Sequence, residues 1–278
     1  SDCWIEDNKL VVLNALDARN RGADILTRTK VIEAKREKNF WKIIVENQLT
    51  KEVQEHHAKV LINAAGPWVA DVINTKLHLN SEDNVRLVRG SHIVVTKLYD
   101  HDKCYFFQGT DGRIIFSIPY EYDFTLIGTT DTDHDNIGIK PICSDTERDY
   151  LLNFASQYFS TEISSQDVVW SYSGVRPLYD DGMENASAAT RDYVLKLEHS
   201  AGIAPLLNIF GGKITTYRKL AEATILEIAK FFPDLKGSWT ANSSLPGGDF
   251  PVQDVAKLIK KLQSDFNFLT EIRAKRLF

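Results

Sequence analysis

Two glycines and a lysine stand directly before a predicted helix, in the stretch FGGKITTYRKLAE. Glycine loses more backbone entropy on folding than other residues, so the adjacent Gly211 and Gly212 indicate a geometric need, such as a tight turn or the close approach of a ligand. A helix that begins near Thr215 adds a partial positive charge, and Lys213 adds a full one. This combination suits a phosphate, a carboxylate or the electron-rich edge of a reduced cofactor. The alternative is a plain strand-to-helix turn with a solvated lysine.

A second candidate is Arg176, in the stretch YSGVRPLYDD. The neighbouring Gly174 and Pro177 favour a defined backbone, and a guanidinium binds a carboxylate or a phosphate at two points. The alternative is a structural ion pair with Asp180 or Asp181.

Small residues follow a predicted buried strand in the stretch LINAAGPW. Ala64, Ala65 and Gly66 permit the close passage of an extended ligand. The alternative is tight packing of a helix on the strand, with Trp68 as a core anchor.

Two histidines and a threonine complete the candidates. His92, in RLVRGSHIVV, is either an acid–base group or a hydrogen-bonded residue of a sheet. Thr129, in IGTTDTDHD, follows a glycine and is placed to present its hydroxyl to a site. His134 lies among three aspartates, but the spacing matches no calcium loop and favours a solvated loop. We therefore predict no metal site.

Composition limits the function classes. The chain has 278 residues, of which 43% are hydrophobic and 26% charged, and this is typical of a globular protein. The net charge of −5 excludes a broad basic surface for nucleic acid. The three cysteines are far apart and form no CxxC pair, which fits a reducing cytoplasm. No apolar run reaches the roughly 18–20 residues of a membrane span, and neither a GxGxxG nor a P-loop motif occurs.

The hydrophobic periodicity predicts an α+β fold. Apolar residues at helical spacing predict a first helix that is capped by Asp7 or Asn8, and a short strand is predicted at residues 25–27. A β-meander follows, with its first hairpin turn at residues 36–39, REKN. From about residue 85 to 197 the pattern is mostly β, interrupted by one helix. Ala221, Ile225 and Leu226 belong to the predicted apolar side of the helix that follows the glycine pair, and a last helix starts near residue 255.

Taken together, these stretches resemble the FAD-dependent (aerobic) glycerol-3-phosphate dehydrogenases, and most closely their bacterial membrane-associated branch. The resemblance runs in the family's order from residue 1 to about 250 and rests on SDCWIEDNKLVVLNALDARNRGA, LTRTKV, NAAGPWV, RLVRGSHIVV, IGTTDTD, VVWSYSGVRPLYDD, TRDYVL, FGGKITTYRKLAE and LPGGDF. It implies a glutathione-reductase-like FAD domain with an inserted β-rich substrate domain. The implied division is a partial FAD domain at residues 1–80, the substrate domain at 81–200, a return to the FAD domain at 201–245, and a linker with the start of a helical domain at 246–278.

The resemblance also implies a reaction: oxidation of sn-glycerol 3-phosphate to dihydroxyacetone phosphate with FAD as hydride acceptor and a quinone as electron acceptor. The residues that match the family's substrate site are Arg176, Arg191, Lys213 and Thr129. Those that match segments along the FAD are Val31, Ala64, Ala65, Gly66, Trp68, Gly212, Lys213, Ile214 and Thr215. We expect Lys213 and Arg176 to act in catalysis, and His92 is a candidate for the base that the alcohol requires. A residue outside this chain is the other candidate.

Three alternatives and several expectations accompany this interpretation. The FAD-binding glycines of the family's N-terminal βαβ unit are not in this chain, so we expect the chain alone to be inactive and to bind FAD poorly. An oxygen-using glycerophosphate oxidase, or an amino-acid or glycine oxidase of the same superfamily, shares the architecture, and a non-catalytic interaction module is the alternative from another class. The family's location implies a cytoplasmic protein that lies peripherally on the inner membrane, and we expect a homodimer.

Overall fold

The computed structural model describes residues 5–79, 85–110, 112–180 and 192–278. Its contacts divide the chain into two units. The larger unit comprises Arg28–Leu235, and the smaller one comprises Ser1–Thr27 with Lys236–Phe278. Helices and sheets are both present, which confirms the predicted mixture of the two.

The larger unit contains three sheets. The strands of the described residues are β1 (Thr29–Glu37), β2 (Phe40–Asn47), β3 (Val53–Ala58), β4 (Leu61–Asn63), β5 (Val85–Thr96), β6 (Tyr105–Gln108), β7 (Ile114–Tyr120), β8 (Phe124–Gly128), β9 (Thr132–Asp133), β10 (Val168–Tyr179), β11 (Val194–Ser200) and β12 (Ile203–Phe210). The helices are α1 (Asp7–Asn20), α2 (Val69–Asp71, continued by a π-helical turn over Val72–Lys76), α3 (Asp145–Ser156), α4 (Tyr217–Ile228), α5 (Val255–Asp265) and α6 (Glu271–Leu277).

The largest sheet has the strand order β10-β5-β8-β7-β6, with β9 paired to β5, and all its pairs are antiparallel. One of its faces packs on α3 because alternate residues of the strands are apolar and β-branched. The core between sheet and helix consists of the buried residues Ile93, Val95, Ile115, Ile127, Leu151, Leu152, Phe154, Ala155 and Ile163. Helix α3 begins at a capping box, in which Ser144 and Glu147 each accept a hydrogen bond from the backbone N–H of the other residue.

The other two sheets share a second core. The antiparallel meander β1-β2-β3 confirms the predicted strands and the turn between β1 and β2. In the third sheet, β12 pairs antiparallel with β11 and parallel with β4. Trp41 is fully buried between them, and its indole N–H donates to the carbonyl oxygen of Pro205 at 2.8 Å. The two sheets are thus joined by apolar packing and by hydrogen bonds, including one from Ala204 N to the carbonyl oxygen of Lys38 at 2.6 Å.

The helix after the glycine pair is present, but its predicted apolar side is wrong in part. The chain passes through a short 3₁₀ turn, Ile214–Thr216, before α4 begins at Tyr217. Thr224 and Ile228 are the buried residues of α4, whereas Ile225 and Leu226 are exposed, Leu226 to 75%. Helix α4 therefore packs through a face rotated from the one that its hydrophobic periodicity indicates.

The smaller unit is helical. Helix α1 confirms the predicted N-terminal helix, although its N-cap residue is Glu6 rather than Asp7 or Asn8. Residues 25–27 form no strand: a turn at Thr27 and Arg28, with Arg28 in the left-handed region, separates them from β1. The guanidinium of Arg21 lies 4.1 Å above the ring of Trp239. None of the helices in the described ranges is long and apolar enough to cross a membrane.

The contact between α3 and the large sheet gives a stability prediction. Leu151 is fully buried in this core, so Leu151→Ala is expected to lower the free energy of unfolding by about 2–5 kcal/mol, through lost burial and a residual cavity. Leu49→Ala, at a position exposed to 67% in a turn, is the matched control and should change it by roughly 0.5 kcal/mol or less. Urea denaturation measures both. Equal effects of the two substitutions would contradict the packing described.

Candidate functional site

Three predicted site residues, His92, Arg176 and Thr129, lie at the face of the large sheet opposite α3. Side chains alternate along a strand, so residues two apart share a face. In the register of the sheet, Tyr172 of β10 lies opposite His92 of β5, and His92 lies opposite Gly128 of β8. Two residues further along, Gly174 lies opposite Gly90, and Arg176 follows on the same face.

Arg176 is held in place by the segment that follows β8. Its Nη1 donates to Asp131 Oδ1 at 2.6 Å and to the carbonyl oxygen of Thr130 at 3.4 Å, and its Nη2 donates to Thr129 Oγ1 at 3.0 Å. The structure thus brings Arg176 and Thr129 together, as expected for residues of one site. The pairing with Asp131 is not predicted by the sequence. Asp181, one of the two partners that the sequence suggests, lies outside the described residues.

Two glycines make room for this arrangement. A Cβ at Gly90 would lie 2.5 Å from Arg176 Nη2 and 2.7 Å from Thr129 Oγ1. A Cβ at Gly128 would lie 2.1 Å from Cδ2 of His92. Sequence analysis does not single out either glycine. A signal was nevertheless present, because an isolated glycine inside a β-branched strand indicates the close approach of another group.

His92 is held as a neutral imidazole. Its ring stacks on Tyr172, with 4.9 Å between ring centroids and 4° between planes. Burial, and after it the nearby positive charge of Arg176, lower the pKa of His92 from 6.5 to about 4. Its buried Nδ1 has no hydrogen-bond partner in the part of the chain that the structure describes. An unpaired ring nitrogen of this kind is available to a ligand as a hydrogen-bond partner.

These groups define what the sheet face can do. The Arg176 guanidinium donates to three acceptors and has five N–H donors, so it retains N–H groups for an anionic ligand. A hydroxyl and a neutral imidazole lie beside it. The arrangement suits a small ligand that combines negative charge with hydroxyl groups.

A second predicted region lies at the ends of two parallel strands. β4 and β12 run parallel with Asn63 opposite Asn208, so the segments that follow them leave the sheet at the same edge. Asn63 Nδ2 donates to Asn208 Oδ1 at 3.0 Å and to the carbonyl oxygen of Val69 at 3.1 Å. Both asparagines are buried. Ligands of open α/β sheets bind at this kind of edge, and the sequence reading did not identify the asparagine pair.

The glycine pair follows β12 at that edge. Gly211 and Gly212 have φ angles of +71° and +98°, which side chains disfavour. A Cβ at Gly211 would lie 3.0 Å from the carbonyl oxygen of Asp192 and 3.6 Å from that of Pro177, and one at Gly212 would lie 3.1 Å from Leu220 Cδ2. Both the positive φ angles of the turn and the tight packing around it therefore require glycine at these two positions. The glycine pair also lies next to the backbone of Pro177, the residue after Arg176, so the loop with the exposed Lys213 adjoins strand β10.

The remaining predicted residues fall into three groups. Ala64, Ala65 and Gly66 follow β4, and Gly66 has a φ of +55° with open space where a Cβ would project. Trp68 is 51% exposed, so its alternative reading as a core anchor is wrong. Val31 lies in β1 of the meander and is 38% exposed. Arg191 lies outside the described residues.

The acidic stretch after β8 is accounted for by protein contacts. Asp133 forms two hydrogen bonds of 2.9 Å with Arg86, and the hydrogen bond from Arg86 lowers the pKa of Asp133. His134 is buried, and its Nε2 lies 3.1 Å from the carbonyl oxygen of Ile139. No group of three or more His, Cys, Asp or Glu residues that could hold a metal occurs among residues 5–79, 85–110, 112–180 and 192–278.

The glycines of the sheet face give a second prediction. Gly90→Ala is expected to displace the Arg176 guanidinium and to lower the free energy of unfolding by about 1–3 kcal/mol, because the added methyl group overlaps it. Gly174→Ala, directly opposite in the sheet, has nothing within 4 Å of the new Cβ and serves as the control. It should stay within about 1 kcal/mol of the wild type. Urea denaturation and crystal structures of both variants measure this. An unmoved guanidinium in Gly90→Ala would refute the close approach.

The neutral imidazole gives a third prediction. Because the pKa of His92 is lower in the folded chain, its contribution to stability is complete above about pH 6.5 and is lost as the pH falls to about 4. The loss should reach about 3 kcal/mol at most. Urea denaturation between pH 4 and 7 measures it, and His92→Gln should remove this component. His57→Gln, at an exposed position, should leave it unchanged. A pH profile that is the same in His92→Gln and the wild type would contradict the assignment.

Comparison with known proteins identifies the family of this chain. The family described as FAD dependent oxidoreductase matches residues 1–218. The chain is 44% identical over 269 residues to the D-erythritol 1-phosphate dehydrogenase of Brucella abortus, covering 97% of this chain and 53% of that protein. It is 43% identical over 276 residues to the glycerol-3-phosphate dehydrogenase of Pseudomonas aeruginosa, covering 99% and 54%. The chain thus spans about half the length of the curated relatives it matches.

A solved structure extends the likeness to the fold. The glycerol-3-phosphate dehydrogenase of Bacillus halodurans complexed with FAD superposes with a TM-score of 0.82 at 28% identity. The match covers 97% of this chain and 52% of that one. With a family match over residues 1–218 and this shared fold, the chain belongs to the FAD-dependent oxidoreductases.

Proposed function

We propose that the complete protein oxidises sn-glycerol 3-phosphate to dihydroxyacetone phosphate, with FAD as the hydride acceptor. The observation that carries the proposal is the fixed guanidinium of Arg176, with Thr129 and a neutral His92 beside it on a sheet face where Gly90 and Gly128 leave room for these side chains. This arrangement suits a small phosphorylated polyol, and relatives that are 40–45% identical are named glycerol-3-phosphate dehydrogenases.

The residues at the parallel strand ends fit the cofactor. Gly66 leaves open space beyond β4, and Gly211 and Gly212 bring the backbone of the next loop to the same edge. We assign Ala64, Ala65 and Trp68 to the same region. Val31, Gly212, Lys213, Ile214 and Thr215 complete the residues that we propose along the FAD. When bound, FAD accepts the hydride that the polyol loses.

The chain's own residues then bind and orient the substrate. Arg176 and Lys213 attract the phosphate dianion, and Arg191 is proposed as a third cation. Thr129 is placed to hydrogen-bond a substrate hydroxyl. His92, which is neutral, is the described residue best suited to accept the hydroxyl proton, since its Nδ1 is unpaired among the described residues.

The division into domains follows from this assignment. We propose that residues 1–80 and 201–245 belong to an FAD domain of the glutathione-reductase type, that residues 81–200 form the substrate domain, and that residues 246–278 begin a helical domain. The six-stranded sheet falls in the proposed substrate domain, and β4 and β12 fall in the FAD domain.

A second candidate substrate is D-erythritol 1-phosphate, because a relative of 44% identity is named for it. Both substrates are phosphorylated polyols, so the same cations serve either one. The two differ in length by one hydroxylated carbon. Comparing kcat/KM for the two compounds decides between them.

Several further proposals accompany the reaction. We propose a quinone as the electron acceptor, with molecular oxygen as the alternative that peroxide production would reveal. A peripheral location on the cytoplasmic face of the inner membrane is supported by α5, in which Lys257, Lys260 and Lys261 accompany an apolar stripe. We also propose a homodimer, and we propose that this chain without the remaining half is inactive.

Arg176 provides the test of the reaction. In the complete protein, Arg176→Ala is expected to lower kcat/KM for sn-glycerol 3-phosphate by roughly 10²-fold or more, because a buried phosphate loses its two-point partner. Arg148→Ala is the control, since this arginine pairs with Asp145 and Asp149 on the surface of α3, and it should retain activity within about threefold. A dye-reduction assay measures both. Unchanged turnover in Arg176→Ala would favour a non-catalytic interaction module.

A further inference from the structure

Glu147 lies on the face of the large sheet opposite the candidate site, and it is buried although it is charged. Its side chain is only 7% exposed. The donors to its carboxylate are Arg89 Nη2 at 2.8 Å and Nε at 3.3 Å, Ser91 Oγ at 2.8 Å, Thr130 Oγ1 at 2.8 Å, Thr132 Oγ1 at 3.4 Å, and Ser144 N at 3.1 Å and Oγ at 2.8 Å. A capping box requires only the contacts with Ser144. The other contacts need a different explanation.

Two of these donors belong to the segments that carry the site. Thr130 stands between Thr129 and Asp131, which both contact Arg176. Its hydroxyl accepts a hydrogen bond from Ser91 N at 2.9 Å and donates to Glu147 Oε1. The side chains of residues 129 and 131 therefore contact Arg176, while the side chain between them is fixed from behind.

Like Thr130, Ser91 hydrogen-bonds to Glu147 while the residues on either side of it face the site. It stands between Gly90, which lies against the Arg176 guanidinium, and His92. Its hydroxyl donates to the same oxygen of Glu147. One carboxylate oxygen thus fixes two backbone segments, and the opposite face of both segments forms the site.

We propose that Glu147 is a positioning residue, which sets the Arg176 guanidinium through its hydrogen bonds to Ser91 and Thr130. The hydrogen bonds of Glu147 are observed independently of any reaction, whereas the effect on substrate binding rests on the proposed function. A carboxylate suits this role because it accepts several hydrogen bonds at once, so both hydroxyls are held in one orientation. The positive charge of Arg89 balances the negative charge of Glu147. Glu147 acts on the site through its hydrogen bonds to Ser91 and Thr130.

The test uses the hydroxyl of Thr130 in the complete protein. Thr130→Val keeps the shape and removes both hydrogen bonds, and it is expected to raise KM for sn-glycerol 3-phosphate roughly tenfold while kcat changes less. Thr130→Ser restores the hydroxyl and should return KM to within about twofold of the wild type. If Thr130→Val does not fold, Ser91→Ala removes the second contact with Glu147 and should raise KM in the same way.

Thr125→Val is the matched control. Thr125 is equally buried in β8, and its hydroxyl accepts a hydrogen bond from Leu98 N at 3.0 Å, away from Glu147. It should lower the thermal stability about as much as Thr130→Val and leave KM unchanged. The proposal is overturned if Thr130→Val keeps KM within twofold, or if Thr125→Val raises KM as much.

Crystal structures of the same variants separate this inference from the proposed function. The contacts of Arg176 with Asp131 at 2.6 Å and Thr129 at 3.0 Å should persist in Thr130→Ser and Thr125→Val and be lost in Thr130→Val. If the wild type does not turn over a polyol phosphate, the proposed function fails, and these distances still decide the positioning role. Unchanged distances in Thr130→Val would refute it.

Discussion

The side chains of β5 alternate between the two faces of the six-stranded sheet, and the candidate site depends on this alternation. Because β5 is hydrogen-bonded to β10 on one side and to β8 on the other, its backbone cannot rotate to exchange the faces. Gly90 and His92 therefore share the face that holds Arg176, while Ser91 and Ile93 share the face that packs on α3. The position of the site relative to the core is a consequence of strand register.

The buried ionisable groups on the two sides of the sheet differ in charge: Glu147 is ionised, and His92 is neutral. Burial disfavours the charged form of any group. At Glu147 this effect, which raises the pKa, is outweighed by hydrogen bonds from the backbone of Ser144 and from the Thr130, Ser144 and Ser91 hydroxyls, so the pKa falls to about 2. At His92, Nδ1 has no hydrogen-bond partner among the described residues, and the cation of Arg176 adds to the effect of burial, so the imidazole is neutral. On the side of α3, the carboxylate of Glu147 is paired with several donors. On the other side, the His92 Nδ1 is available to hydrogen-bond a ligand.

The loop with Gly211 and Gly212 lies between strand β10, which carries Arg176, and the parallel strand ends. Gly211 lies beside the backbone of Pro177, and β12, which it follows, runs parallel to β4. The loops that we propose along the FAD and the arginine that we propose for the phosphate are therefore parts of one unit of the chain. In an oxidoreductase the reacting carbon must lie against the cofactor while the charged group is held to one side. The proposed FAD loops and the strand that carries Arg176 lie next to each other, as this requirement demands.

The sequence by itself determined the strand pattern, the long helices and most of the candidate residues, because periodicity, turn residues and motifs are local properties. It predicted Arg176 and Thr129 as members of one site, and in the structure the two side chains form a hydrogen bond. It did not predict Asp131 as the partner of Arg176, the close approach of side chains to Gly90 and Gly128, or the hydrogen bonds of Glu147 to Ser91 and Thr130. Each of these depends on residues that are 17 to 58 positions apart or on which strand faces which, and register between strands is decided only when the sheet assembles. The exposed side of α4 was mispredicted for the same reason: which face of a helix is buried depends on what the tertiary structure places against it.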